Sequence, residues 1–71
     1  MISYKKLRVW LAEREISGRE FREMTNISQT TYTKINKNQF ISMETIDRIC
    51  KSLNCKISDI IEYVEADDNI E

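Results

Sequence analysis

The clearest structural signals of the chain lie in the segment Ser17-Gly-Arg-Glu-Phe-Arg-Glu-Met-Thr-Asn-Ile-Ser-Gln-Thr-Thr-Tyr-Thr-Lys-Ile-Asn-Lys-Asn38. Glu20 follows Ser17 at the spacing of a capping box, which predicts that a short helix begins at residue 18. Asn26 predicts the end of that helix, because asparagine tolerates the left-handed backbone of a C-cap. Ser28 then predicts the N-cap of a second helix. Two short helices with so brief a break have the spacing of a helix-turn-helix, here at about 17–37.

The second of these helices, at about 29–37, has a distinctive outer face. That face comprises Gln29, Thr30, Thr33, Lys34 and Lys37. It carries no acidic residue, although Asp and Glu outnumber Lys and Arg in the chain by 12 to 11. Amides, hydroxyls and ammonium groups are the groups that contact base edges and phosphates. A helix face that is only solvated normally carries some Glu or Asp, so the composition favours double-stranded DNA as the partner.

The dipeptide Ile-Ser marks candidate helix starts along the whole chain. It occurs at 2–3, 16–17, 27–28, 41–42 and 57–58. In the first four repeats an apolar residue occupies the fourth helical position, where it can pack against the isoleucine as a hydrophobic staple. We therefore expect N-caps at Ser3, Ser17, Ser28 and Ser42. The fifth repeat places Glu62 at the staple position, so the last helix is expected to begin near Lys56 rather than after Ser58.

These signals predict a compact, all-α, five-helix domain. The helices are expected at about 4–14, 18–25, 29–37, 43–53 and 57–63, with Asn26, Asn38 and Asn54 as stops. Residues at helical spacing predict the apolar faces, which include Leu7, Trp10, Leu11, Phe21, Met24, Tyr32, Ile35, Met43, Ile46, Cys50, Leu53 and Ile57. Residues 2–4 and 61–64 are β-branched and aromatic enough to form two short paired strands instead.

Composition excludes several classes of function. A chain of 71 residues supports one small domain with one shared core. With His 0, it lacks the commonest general base and metal ligand, and two cysteines are too few for a four-ligand zinc site. We therefore expect no enzymatic activity, metal or cofactor, and Cys50 and Cys55 as small core residues. Neither a membrane span nor a signal peptide is evident, so a cytoplasmic protein is expected.

Charge is distributed unevenly along the chain. Residues 1–40 hold eight basic and four acidic residues, a balance of +4, whereas residues 41–71 hold three basic and eight acidic residues, a balance of −5. The overall charge of −1 therefore conceals a basic half that contains the candidate helix-turn-helix. Residues 65–71 have no helical periodicity and are expected to form an acidic, flexible tail after a domain at 1–64.

Three motifs in order resemble the Cro/C1-type (XRE, phage-repressor-like) helix-turn-helix family, above all its short single-domain bacterial members. The family's turn T-G-I-S appears as Thr25-Asn-Ile-Ser28, and its recognition-helix core as Thr31-Tyr-Thr-Lys-Ile35. Its fourth-helix pattern appears as Ser42-Met-Glu-Thr-Ile-Asp-Arg-Ile-Cys-Lys-Ser-Leu53. The resemblance covers roughly residues 3–64. It implies a lambda-repressor-like fold and a DNA-binding transcriptional regulator.

The resemblance also implies roles for individual residues. Gln29, Thr30, Thr33 and Lys34 match positions at which the family contacts bases. Gly18, Arg19, Ser28, Thr31 and Lys37 match positions that contact phosphates. Arg22 stands where the family usually has a small residue, and we expect its guanidinium to extend outward to a phosphate or to a neighbouring glutamate.

A homodimer on a two-fold operator is expected, since one helix-turn-helix alone makes a small contact with DNA. The candidate dimer interface is Ile57, Ile60, Ile61, Tyr63 and Val64, which are more apolar residues than one side of a short helix can bury. A different class of function remains open at this point: a protein-interaction module, such as an antitoxin-like or adaptor chain with the same fold. A positive stripe around Gln29 and Lys34 would favour DNA, and an apolar groove would favour a protein. No small-molecule ligand is expected.

Overall fold

The computed structural model describes residues 1–65. In chain order the elements are strand β1 (Ile2–Ser3), helices α1 (Lys5–Glu13), α2 (Gly18–Thr25), α3 (Gln29–Asn36) and α4 (Met43–Leu53), a 3₁₀ turn (Ile57–Asp59) and strand β2 (Glu62–Tyr63). Helix α2 packs against α3 and α4, and the 3₁₀ turn packs against α1 and α4. The described chain is therefore a four-helix domain with a small two-stranded sheet.

One core is shared by all of the helices. Its buried apolar residues are Tyr4, Leu7, Leu11, Phe21, Ile35, Ile46, Ile49, Leu53 and Ile60. Helices α1 and α4 contribute two and three of these residues at helical spacing, whereas α2 and α3 contribute one each, Phe21 and Ile35. Burial of apolar surface from four short helices in one cluster is what stabilises a domain of this size, because none of the helices is stable alone.

Most of the predicted helix ends are confirmed. The hydroxyls of Ser17, Ser28 and Ser42 accept hydrogen bonds from backbone N–H groups three residues on, at 3.0 to 3.1 Å. Asn26 and Asn54 are C-caps in the left-handed conformation, with φ of 56° and 54°. Because a cap depends on a side chain and the adjacent backbone alone, sequence identifies it without knowledge of the tertiary structure.

The first helix begins one residue later than predicted, and Ser3 is not its N-cap. Ser3 lies in β1, and the N-cap position of α1 is Tyr4, whose side chain makes no capping hydrogen bond. The Ser3 hydroxyl instead accepts from the Lys5 backbone N–H at 3.2 Å. Ser3 pairs with Glu62 in the sheet and therefore does not serve as the N-cap of α1.

The predicted fifth helix, at 57–63, is wrong. Only Ile57–Asp59 are helical, as a single 3₁₀ turn, after which the chain enters β2. Strand β2 pairs with β1 in antiparallel register, Ile2 opposite Tyr63 and Ser3 opposite Glu62. The alternative expectation of short strands at the two ends therefore describes this region. The β-branched and aromatic residues there suit a strand, and β1 supplies a partner for their backbone groups.

Three residues predicted to lie on apolar core faces are exposed. Met43 is 66 % exposed at the first position of α4, Met24 is exposed on α2, and Ile57 is exposed in the 3₁₀ turn. Spacing alone placed them on the core side, but no neighbouring element extends far enough to cover them. The two cysteines, Cys50 and Cys55, are free thiols that are half-buried against the core.

The predicted acidic tail, 65–71, lies outside the described residues apart from Glu65. Within residues 1–65, no helix has both the length and the apolar character that crossing a bilayer requires. In the same part of the chain, no three histidine, cysteine or acidic side chains come together as a metal site would need.

Candidate nucleic-acid interface

Helix α2 and the turn after it hold the next helix in place. The Ser17 hydroxyl accepts from the Glu20 N–H at 3.1 Å, while the Glu20 carboxylate accepts from the Ser17 N–H at 2.9 Å, which completes a capping box. The turn at 26–28 reverses the chain through the left-handed Asn26. From α4, Arg48 donates to the Asn26 carbonyl at 3.2 Å, and this bond connects the turn to α4. The capping box therefore fixes the start of α2, and the bond from Arg48 fixes the turn that follows it.

Helices α2 and α3 meet through an aromatic pair. The Phe21 ring is fully buried, and its centroid lies 6.0 Å from that of Tyr32, with the planes inclined at 49°. Such a tilted arrangement is favourable between aromatic rings. Thr25 is also buried, and its hydroxyl is satisfied by the Phe21 carbonyl at 2.7 Å. The two helices therefore form one rigid unit in which the outer face of α3 is the exposed surface.

The residues predicted to contact bases share that outer face. Gln29, Thr30 and Lys34 are exposed, and Thr33 is half-buried. The Gln29 Nε2 donates to the Thr33 hydroxyl at 3.3 Å, one turn along the helix. Because this bond is exposed to water and near the upper limit of length, it orients the carboxamide and costs little to exchange for another partner. Gln29 also stands at the first position of α3, beyond the Ser28 cap.

The residues predicted to contact phosphates fall into two groups. Gly18 and Arg19 begin α2, whereas Ser28 and Lys37 are the N-cap and C-cap of α3 and Thr31 lies in its first turn. The hydroxyls of Ser28 and Thr31 hydrogen-bond to each other at 3.1 Å. Arg19 lies 3.5 Å from Glu23 in an exposed pair one helical turn apart, which is a weak interaction in water. Lys37, the C-cap of α3, is exposed.

Arg22 differs from expectation in one respect. A phosphate or a neighbouring glutamate was expected as the partner of its guanidinium, and in residues 1–65 no carboxylate lies within ion-pair distance of it. The guanidinium carbon instead lies 5.7 Å from the Tyr32 ring centroid, a cation–π distance. Its Nε is buried without a hydrogen-bond partner among the described residues. The ring thus supports the long side chain where the family usually has a small residue.

The packing of Tyr32 requires glycine at position 18, in addition to the phosphate contact predicted for this residue. A Cβ at this position would overlap the hydroxyl end of Tyr32. The aromatic side chain of α3 therefore reaches the first turn of α2 only because residue 18 has no side chain. Close packing between the two helices depends on this approach.

The end of α3 is held by contacts of Asn38 and Arg8 that the sequence analysis did not predict. Asn38 follows α3 with φ of 56°, and its Oδ1 accepts from the Tyr4 N–H at 2.9 Å and from Arg8 Nη1 at 3.3 Å. Arg8 Nη1 also donates to the Ile35 carbonyl at 3.1 Å, which places a cation at the negative end of the α3 dipole. Asn38 was predicted only as a stop, and Arg8 only as one of the basic residues. The spacing of Arg8 on α1 would have shown that it lies beside the core face.

Two short capped helices at fixed inclination, with a polar and basic outer surface on the second, define a helix-turn-helix DNA-binding domain. The sequence profile of the Cro/C1-type HTH DNA-binding domain matches residues 6–66. The chain therefore belongs to the Cro/C1-type helix-turn-helix family.

Two known proteins are similar to this chain over most of its length. The first, YozG of Bacillus subtilis (strain 168), is described as an uncharacterized HTH-type transcriptional regulator; it is 36% identical over 62 residues, which are 84% of this chain and 74% of YozG. The second is the crystal structure of the transcriptional regulator VanUg, with a TM-score of 0.86, 37% identity, and coverage of 92% of this chain and 87% of that one. The family is one of DNA-binding transcriptional regulators, which agrees with the class that the residues predict.

Proposed function

We propose that this chain is a sequence-specific, double-stranded-DNA-binding transcriptional regulator that inserts α3 into the major groove. The observation that carries the proposal is the outer face of α3, where Gln29, Thr30 and Lys34 are exposed on a helix that is fixed at both of its ends. Rigidity matters because a base contact requires a side chain to be held within a fraction of an ångström of its partner.

Base contacts are assigned to Gln29, Thr30, Thr33 and Lys34. A glutamine carboxamide can pair with the N7 and N6 positions of one adenine, a lysine can donate to guanine, and a threonine offers both a hydroxyl and a methyl group. Gln29 occupies the N-terminal position of α3, which is the part of a recognition helix that enters the groove most deeply. Gln29 is therefore the residue on which we expect discrimination between sequences to depend most.

Phosphate contacts are assigned to Gly18, Arg19, Arg22, Ser28, Thr31 and Lys37. The backbone N–H groups at the start of α2 and the exposed Lys37 at the end of α3 are the groups that would bind phosphates beside the outer face of α3. Such contacts set the register on the duplex and supply most of the salt-sensitive affinity. The pairs Arg19–Glu23 and Ser28–Thr31 are exposed, so a phosphate can replace them at little cost.

A homodimer on a two-fold operator completes the proposal, with the C-terminal segment as part of its interface. In that segment Tyr63 is 74 % exposed, Ile57 is exposed, and Ile61 and Val64 are half-buried. Ile60 is 0 % exposed, and it belongs to the core of its own chain. The interface that we propose therefore omits Ile60 and retains the other four residues.

The test is selection of a binding site from random duplexes, followed by affinity measurements from low to physiological salt. Enrichment of one sequence with two-fold symmetry is expected. The logarithm of the binding constant should fall by about 0.9 per phosphate contact for each log unit of salt. Absence of enrichment, together with an affinity that does not respond to salt, would favour a protein partner in place of DNA.

A further inference from the structure

The outward face of α1 carries a stripe of three exposed side chains: Lys5, Val9 and Glu13. They are spaced four residues apart, so they lie along one line of the helix that is about 12 Å long at 1.5 Å per residue. The stripe is basic at one end, apolar in the middle and acidic at the other. Val9 is 44 % exposed, and none of the three residues contributes to the buried core.

The three stripe residues form one wall of an open groove, and Ser58, Asp59 and Glu62 lie on the other side of it. Val9 and the half-buried Trp10 provide its apolar part, and Asp59 and Glu62 lie on its far wall. Arg14 covers one face of the Trp10 ring, with its guanidinium carbon 3.7 Å from the centroid. The groove thus adds the apolar surface of Trp10 to the stripe and connects it to Glu62 of β2.

The charges of the stripe oppose the helix that carries them. Acidic residues favour the first turn of a helix and basic residues the last, as Glu20 and Arg22 illustrate in α2. Helix α1 has no acidic residue in its first turn and no basic residue in its last. Lys5 has no ion pair within the described residues, and Glu13 pairs only with the adjacent Arg14, at 3.7 Å. Contacts among residues 1–65 therefore do not account for these two charges.

We propose that this stripe is the centre of an interface with a second copy of the chain, and this inference rests on the dimer in the proposed function. A two-fold axis through Val9 sets the two α1 helices antiparallel. Lys5 then lies opposite Glu13 of the partner subunit, and Glu13 lies opposite Lys5 of the partner subunit. The order basic, apolar, acidic is complementary to its own two-fold copy, which is what an isologous interface requires.

The usual distance between packed helices is compatible with a second copy of α1 on this surface. Helices that pack against each other have axes 8–10 Å apart, and a side chain as small as valine at the crossing point permits that approach. Antiparallel alignment also opposes the two helix dipoles. The groove extends the proposed interface from α1 to Ser58, Asp59 and Glu62 in the C-terminal part of the domain.

The experiment is sedimentation equilibrium of charge-reversal variants without DNA. Lys5→Glu alone places like charges opposite each other at both symmetric positions, and so does Glu13→Lys alone. The double variant Lys5→Glu/Glu13→Lys restores attraction, and so does an equimolar mixture of the two single variants. Each single change also places the charge that the helix dipole prefers, so the monomer is expected to remain folded by circular dichroism. Lys51→Glu, an exposed reversal on α4, is the matched control.

The wild type should dimerise in a concentration-dependent manner. Each single reversal should raise the dimer dissociation constant at least about tenfold, while the double variant and the mixture recover dimerisation. Because Trp10 is the only tryptophan, its emission should shift to shorter wavelength as the dimer forms. A monomeric wild type would overturn the proposal, and so would single reversals that dimerise as well as Lys51→Glu does. Site selection and salt-sensitive binding would still succeed in that event, because those measurements test the DNA-binding proposal separately.

Discussion

Tyr4 and Asn38 are joined across 34 positions of the chain by a hydrogen bond from the Tyr4 backbone N–H to the Asn38 Oδ1, at 2.9 Å. The Tyr4 hydroxyl strengthens the connection, since it donates to the neighbouring Gln39 carbonyl at 2.7 Å. The start of α1 thereby holds the residue that ends α3. The orientation of the recognition helix is consequently fixed by contacts with the N-terminal part of the chain.

Asn38 has two roles: its Oδ1 accepts hydrogen bonds, and its backbone adopts the left-handed conformation. Two different substitutions should separate them. Asn38→Ala removes the acceptor and also places alanine at φ of 56°, so it should lower the free energy of unfolding by about 2–4 kcal/mol. Asn38→Gly removes the acceptor alone, because glycine adopts that conformation without strain, and should cost about 1 kcal/mol less. Urea denaturation of both variants provides the measurement. A glycine variant less stable than the alanine variant would contradict this account.

Replacement of Gln29 tests the assignment of base contacts. Gln29→Ala should weaken binding to the selected site by roughly 1–3 kcal/mol and relax discrimination at one base pair, since alanine cannot form the paired hydrogen bonds with adenine. Thermal stability should stay nearly unchanged, because the side chain is exposed and alanine favours helix. Gln39→Ala, at the only other glutamine, is the control. If Gln29→Ala binds the selected site as tightly as the control does, the assignment fails.

Replacement of Lys37 tests the assignment of phosphate contacts. Lys37→Ala should weaken binding to selected and scrambled duplexes about equally, and should reduce the salt slope by about 0.9, because one counterion fewer is released. Lys51→Ala removes the same charge from an exposed position in α4, outside the helix-turn-helix, and should leave the slope unchanged. Affinities at four or more salt concentrations give the slopes. Equal slopes for the two variants would remove Lys37 from the interface.

The close approach of Tyr32 to Gly18 predicts a strong coupling between them. Gly18→Ala should lower the free energy of unfolding by about 1–3 kcal/mol, because the added methyl displaces the tyrosine ring. In a Tyr32→Ala background the same change should stabilise the protein by up to about 1 kcal/mol, since alanine is the better helix former. A double-mutant cycle measured by denaturant unfolding compares the two. Identical effects of Gly18→Ala in both backgrounds would show that the two residues are not coupled.

Alkaline pH should destabilise the fold through two groups. Burial raises the pKa of the Cys55 thiol from its ordinary value of 9.0 to about 11, and burial also raises the pKa of the Tyr4 hydroxyl. The folded state then holds protons that the unfolded state has lost, so the free energy of unfolding should fall as pH rises from about 9 to about 11. Cys55→Ala should make that decline shallower when urea unfolding is measured under reducing conditions. An unchanged slope would exclude the Cys55 thiol as a contributor.

Local signals account for what the sequence predicted correctly. Ser17, Ser28 and Ser42 cap helices through bonds that span three residues, so they identify the helix-turn-helix and the start of α4 from sequence alone. The polar face of α3 follows from the same helical period. The resemblance to the Cro/C1-type family rests on these segments and needs no knowledge of the packing between distant parts of the chain.

Tertiary contacts account for what the sequence did not predict. For the C-terminal segment the sequence predicts a helix at 57–63 and, as an alternative, a short strand at 61–64 paired with residues 2–4. The local pattern does not decide between them, and the observed pairing of Glu62 and Tyr63 with β1 does. Arg8 binds the end of α3 only because α1 crosses beside it. Met43 has the spacing of a core residue, but its exposure depends on where neighbouring elements end. Each difference concerns how elements meet, which spacing along one element does not encode.

The pairing of β1 with β2 also bears on the order in which the chain folds. Its register joins Ile2 to Tyr63, 61 positions away, and closing a loop of that length costs about 3.6 kcal/mol of chain entropy beyond a constant term. The hydrogen bonds of two residue pairs do not offset this cost alone. The β1–β2 pairing can therefore form only after α1 and the 3₁₀ turn have packed together. The helices, whose contacts are nearer in sequence, would form first and make folding fast. In native-state hydrogen exchange, the β1 and β2 amides should accordingly open at lower free energy than those of α2 and α4.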